Sequence, residues 1–257
     1  MKQIKPQLVP GLHVAFVANF SGGCGASMLA LETYATCRNS GIPAILATND
    51  RSHDYPNMGH DLWHLPVISA GDPDPDQLHH LDDIADLVAV ARTKRKFLII
   101  DIKAGYAPAY RMLKVLRNSG IYRASSIAAL LPVISGDFGN HGVSGAATAL
   151  KALAKMRIHV DRGIIRTWPL PGEPAIPDIS MLSPFPIWPA EHLQQHSRAM
   201  IHSGYWNIRQ AKISQIFQRP ERDRKAIAKV IAHFESAEKA IYGAIIAPIT
   251  KTCQPYT

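Results

Sequence analysis

Residues 12–50 read LHVAFVANFSGGCGASMLALETYATCRNSGIPAILATND, and within them an apolar run, a glycine cluster and a second apolar run follow one another. Residues 12–20 (LHVAFVANF) alternate little between apolar and polar and are rich in Val, Ala and Phe, the composition of a strand covered on both faces in a parallel sheet. SGGCGAS at 21–27 supplies a flexible turn. From Met28 to Asn39 apolar residues recur at helical spacing, at Met28, Leu29, Leu31 and Ala35, and Gly41 marks the end of the helix. Residues 42–48 (IPAILAT) form the next strand. The segment therefore predicts a βαβ unit with parallel strands joined by a right-handed crossover.

Strands and helices alternate beyond it. Residues 53–83 are polar and turn-rich, with Asp72, Pro73, Asp74, Pro75 and five histidines, and are expected to wrap the surface rather than form a long helix. Leu81–Thr93 predicts an amphipathic helix feeding a strand at Phe97–Ile100 that stops at Asp101. A helix over 107–117, a buried strand at 126–134 (SIAALLPVI), a helix from Ser144 to Met156 and a strand at 162–167 (RGIIRT) continue the pattern. This is an α/β fold with a doubly wound, mostly parallel sheet. Prolines recur from Trp168 to Pro189 and predict a long surface loop or lid, after which the chain is mostly helical. The expected organisation is a single domain over 1–257, made of a core (1–167), the Pro-rich loop (168–189) and a helical part (190–257).

Composition narrows the function. No window approaches 18 consecutive apolar residues, and the opening MKQIKPQLVPGLH lacks a signal peptide's apolar stretch, so a soluble cytoplasmic protein without membrane contact is expected. Cys24, Cys37 and Cys253 have no CxxC spacing, which argues against a disulfide framework or a zinc knuckle. A net charge of +8 favours a polyanionic partner.

The glycine loop carries the chemistry. Backbone N–H groups freed by Gly22, Gly23 and Gly25 ahead of a helix converge on an anion. Ser27 stands where a hydroxyl would ligate the Mg²⁺ of a bound nucleotide, and Asp101, at a strand end, stands where a water-held metal carboxylate belongs. VANFSGGCGASMLALETYATCRNSGIPAILATND resembles the opening of the ParA/MinD family of deviant P-loop ATPases, whose pattern is KGGxGK[ST]. FLIIDIKAG resembles that family's second acidic motif, ALLPVIS resembles the strand after it, and the NFSG opening is similar to StbB-type plasmid stability proteins. The likeness spans about the first 165 residues.

The resemblance implies a P-loop NTPase fold of the SIMIBI type. It implies ATP or ADP with Mg²⁺ held by residues 21–28 (Ser21, Gly22, Gly23, Cys24, Gly25, Ala26, Ser27, Met28) together with Asp50, Asp101 and Lys103. It also implies DNA, a small partner protein of a partition or transfer system, and a homodimer as assembly partners. Two departures weigh on catalysis. Ser21 replaces the family's signature lysine, which acts across the dimer interface, and Ala26 replaces the lysine that grips the β- and γ-phosphates. Catalysis in P-loop enzymes is mostly positioning and electrostatic stabilisation, so weak or absent hydrolysis is expected. Thr48 stands where the family places a catalytic aspartate, and Arg166 about where it places a base-reading asparagine.

Three functional outcomes follow: a degenerate nucleotide site acting by assembly, a slow ATPase in which Lys103 or Arg51 replaces the lost lysine, or an interaction module without nucleotide. Cys24, at a helix start, is either a small filler or a reactive thiol. His60 and His64 have i, i+4 spacing for zinc, but Gly59 and nearby prolines oppose a helix there, which favours a solvated loop. The basic run Arg209, Lys212, Arg219, Arg222, Arg224, Lys225 and Lys229 is either a nonspecific DNA face or a solvated helix diluted by Glu221 and Asp223.

Overall fold

In the computed structural model of the chain, the described residues are 6–49, 55–56, 58–68, 81–102, 105–134, 137–168, 178–191, 193–207 and 216–252. The apolar run within residues 12–20 forms strand β2 (His13–Val17), following a short β1 (Pro6–Leu8). Every residue of β2 is buried because helices cover both faces of the sheet. Ala15 and Val17 join one core with helix α1 (Ala26–Asn39), while Val14 and Phe16 join the other. Two-sided burial is why the strand reads as continuous apolar sequence rather than alternation. Phe16→Ala would cost about 3–5 kcal/mol.

Strands β3 (Ala44–Thr48), β4 (Leu62–His64), β5 (Phe97–Asp101), β6 (Ser126–Ile134), β7 (Arg162–Trp168) and β8 (Ile187–Pro189) complete a seven-stranded sheet in the order β4-β3-β5-β2-β6-β7-β8. All six pairings are parallel, so all the carboxyl ends lie along one edge. Helices α2 (Leu81–Thr93), α3 (Tyr106–Asn118) and α4 (Asp137–Lys155) supply the core on one face. On the other, α1 packs with α5 (Gln195–Met200) and α6 (Glu221–Ile241). Strand β9 (Thr250–Thr252) returns to pair antiparallel with β1. Strand β2, at the centre, sends α1 to one face and has neighbours β5 and β6 on its two sides. This is the switch point at which doubly wound sheets take their ligands.

Four boundaries depart from expectation. β2 ends at Val17 because the Asn19 side chain redirects the chain (below). α4 begins at Asp137, seven residues before the expected Ser144. Its Gly142 and Gly145 give poor helix propensity but allow the close approach described below. The polar segment expected only to wrap the surface contributes β4. Asp61 ties it down, accepting bonds from Lys96 Nζ (2.7 Å), Tyr34 Oη (2.9 Å) and Arg38 Nη1 (3.4 Å). The Pro-rich segment is not all loop, since β8 extends the sheet. Prolines are tolerated there because β8 is an edge strand, one side of which has no ladder to join. Residues 169–177 of the expected lid lie outside the described residues. Among the described residues no helix is long and apolar enough to cross a membrane.

Candidate functional site

Residues 18–25 connect β2 to α1 and are fixed from below by Asn19, 2% exposed. Its Nδ2 donates to Pro132 O (2.7 Å) and Gly142 O (3.0 Å), and its Oδ1 accepts from the Ser21 N–H (2.8 Å). One amide thus ties the loop to β6 and to α4. A Cβ on Gly145 would lie 2.2 Å from Ser21 Oγ and 2.4 Å from Asn19 Oδ1, so only glycine lets α4 approach this closely.

The loop turns through Gly23 (φ 76°) and Gly25 (φ 79°), both left-handed, and Gly25 caps α1 without a side-chain hydrogen bond. The first turn of α1 contains no acidic residue. The N–H groups at a helix start and the positive end of the dipole favour an anion. Ser21, Gly22, Gly23, Gly25, Ala26, Ser27 and Met28 line a cleft of about 470 Å³, a size suited to a small ligand. Cys24 does not line it. Its thiol is buried beneath the loop and donates to Gly22 O (3.6 Å), and burial pushes its pKa up to about 11 against an opposing bond from Asn19. The filler role is the one the geometry supports, because the thiolate is the reactive form.

Asp101, at the end of β5, is 2% exposed. Its Oδ2 accepts from Ser27 Oγ (2.9 Å) and from Tyr55 Oη (2.5 Å). The two positions singled out from the sequence, 74 residues apart, are therefore in direct contact beside the loop. A hydroxyl and a carboxylate so placed suit a magnesium ion whose remaining ligands are phosphate oxygens and water. Among the described residues no group of three His, Cys, Asp or Glu could hold a metal by itself, and His60 and His64 sit on a 3₁₀ turn and on β4 rather than on one helix. The loop, residues 18–25, carries no cationic side chain, and Ala26 is the first residue of α1. Asp50, Arg51 and Lys103 lie outside the described residues.

The far wall of the cleft comes from Trp168, Arg198, Ile201 and His202. The Trp168 indole packs on the loop, with Cζ3 2.7 Å from where a Cβ on Gly25 would stand. Arg166, two residues earlier on β7, is fully buried and turned onto α1. Its Nη2 and Nε lie 2.8 Å from Oε1 and Oε2 of Glu32 on α1, and His233 Nε2 of α6 lies 2.6 Å from Oε1. Burial disfavours the Arg166 charge, Glu32 favours it, and Arg198 opposes it. The guanidiniums of Arg166 and Arg198 both lie over the Trp168 ring, at 4.3 and 5.1 Å from its centre. Tyr55, Trp168 and Arg198 had no signal in the sequence, since each is brought to the loop by tertiary structure, and Asn19, within the loop, shows its role only in its bonds to Pro132 and Gly142.

Of the basic run, Arg219, Arg222, Arg224, Lys225 and Lys229 are exposed. Arg222, Lys225 and Lys229 share one stripe of α6 at i, i+3, i+7. Glu221 pairs with Lys225 (2.7 Å) and Asp223 lies 3.9 Å from Arg219. Arg209 and Lys212 lie outside the described residues.

The chain is a parallel α/β sheet with a glycine-rich loop after its central strand and a carboxylate at the end of the neighbouring strand, the arrangement of a doubly wound α/β domain. Among solved structures the chain is similar to a ParA family ATPase from Chlorobium tepidum TLS (12% identity, 86% of this chain and 98% of that one, TM-score 0.44). It is also similar to the MinD cell division protein of Aquifex aeolicus (14%, 87% and 97%, TM-score 0.45) and to Cyanothece McdA in complex with ATP (12%, 96% and 100%, TM-score 0.46). No protein-family model matches the chain, and no curated protein matches it in sequence.

Proposed function

We propose that this chain is a ParA/MinD-like protein of plasmid partition, stability or conjugation systems. In this reading it keeps the phosphate loop as a scaffold and assembles with itself, with DNA and with a small partner protein. The observation that carries the reading is the Ser27–Asp101 contact beside a glycine loop whose two cationic positions are Ser21 and Ala26. ATP or ADP with Mg²⁺ is the ligand such a site suits. The amides of residues 22–27 would hold the phosphates, Ser27 would reach the metal directly and Asp101 through water. Bound nucleotide brings the negative charge that the uncapped start of α1 attracts. Without the two lysines the transferring phosphoryl lacks its electrostatic clamp, and turnover several powers of ten below that of a complete site follows. Nucleotide then serves as a structural ligand rather than a fuel.

Calorimetry with ATP·Mg²⁺ and ADP·Mg²⁺ is expected to give binding that Asp101→Ala weakens and phosphate release near background. Absence of heat with both nucleotides would leave a pure interaction module. Phosphate release that Asp101→Ala abolishes and Ser21→Ala spares would make the chain a working ATPase. The exposed stripe Arg222, Lys225 and Lys229 supports nonspecific DNA contact. Duplex affinity should fall steeply with salt, and each residue of the stripe replaced by Ala should reduce the slope by about one. Binding indifferent to salt would remove DNA from the list of partners.

A further inference from the structure

The cleft has two sides of different character. The loop side offers main-chain amides, the hydroxyl of Ser27 and the carboxylate of Asp101, none of them a cation. A nucleotide polyphosphate carries several negative charges, of which one magnesium ion offsets only part. The opposite side is built by α5 and the wide turn Ile201–Tyr205 that continues it, where Arg198, Ile201 and His202 face the cleft. Among the described residues lining the cleft, Arg198 is the one with a permanent positive charge.

We infer that Arg198 supplies, from α5, the positive charge for a polyphosphate that Ser21 and Ala26 do not carry. The inference rests on the nucleotide reading above. Arg198 is held for the task at two points: its Nε–H donates to Leu193 O (3.1 Å), and its guanidinium lies over Trp168, which packs on Gly25 of the loop. Loop, indole and guanidinium therefore form one continuous wall, and the last loop glycine and the cation are separated by a single side chain. Arg198 is an exposed residue, whereas Arg166, over the same ring, is buried and paired with Glu32. Arg166 also opposes Arg198 electrostatically across the indole, and an anion in the cleft relieves that repulsion. A planar guanidinium with paired donors suits phosphate oxygens in a way a lone ammonium does not.

The test uses the full chain with Mg²⁺ and two probes, ATP and inorganic tripolyphosphate, the second having no base to stack. Wild type, Arg198→Gln and Arg198→Lys are compared by calorimetry, with adenosine as the uncharged control. Arg198→Gln should weaken both polyphosphates roughly tenfold to hundredfold, the scale of a lost charge-assisted contact, and leave adenosine within about twofold. Arg198→Lys should recover part of the loss. Polyphosphate binding unchanged in Arg198→Gln, or ATP and adenosine weakened equally, would overturn the inference and leave Arg198 as a packing residue on Trp168. If the wild-type chain binds neither ATP nor tripolyphosphate, the nucleotide reading itself fails and this inference with it.

Discussion

Glu32→Gln tests whether the interior of this protein is organised around a single charge. Glu32 is fully buried in the middle of α1, and its two oxygens meet Arg166 of β7 and His233 of α6. At 2.8 Å and an effective dielectric of 20, the attraction between Glu32 and Arg166 is about 6 kcal/mol. Gln keeps the shape and one acceptor, and removes the cost of burying the carboxylate, so part of that is returned. What remains is an uncompensated guanidinium with no route to water, for which losses of about 3–5 kcal/mol are typical. In a chain of this size such a loss lowers the melting temperature by roughly 6–20 °C. Urea unfolding of the two proteins, with the slope unchanged, gives the difference directly. Replacing both partners, as Glu32→Leu with Arg166→Met, should recover most of the stability that Glu32→Gln loses, because no charge is then stranded. A Glu32→Gln protein within about 1 kcal/mol of wild type, or a double variant worse than the single, would refute the reasoning.

Gly25→Ala should destabilise the chain by about 1–3 kcal/mol and disrupt ligand binding. The position is left-handed and its new methyl would meet Trp168 at 2.7 Å and Arg166 Nη1 at 3.2 Å, and circular dichroism melts alongside calorimetry report both effects. The Cys24 thiol, raised by burial to about 11, should react slowly with thiol reagents at pH 8 and rapidly once the chain is unfolded. The native state keeps that proton after the unfolded chain has released its own. Stability should therefore be whole below about pH 9 and fall as pH rises toward 11, a decline that Cys24→Ala would reduce.

The centre of the fold was legible because its signals are local. β2, the glycine loop and α1 lie within 30 residues, and two-sided burial leaves an uninterrupted apolar run that sequence displays directly. Ser27 and Asp101 could be paired from sequence because each sits at a fixed offset from a strand end. The edges were not legible. β4 and β8 are three residues long and half-covered, so their composition is set by solvent and prolines rather than by a core. Glu32 looks like any polar residue of an amphipathic helix, since its partners come from 134 and 201 residues away. Arg198 had no signal either: a lone arginine in a helical stretch acquires its place only once Trp168 has set the wall it lies on.

The three-residue ladder between Pro6–Leu8 and Thr250–Thr252 joins segments roughly 240 residues apart. Closing so long a loop in a flexible chain costs about 5 kcal/mol, more than a few strand hydrogen bonds return. The seam is therefore expected to zip only after the large sheet has brought its two sides together, and its amides should be among the earliest to exchange with deuterium.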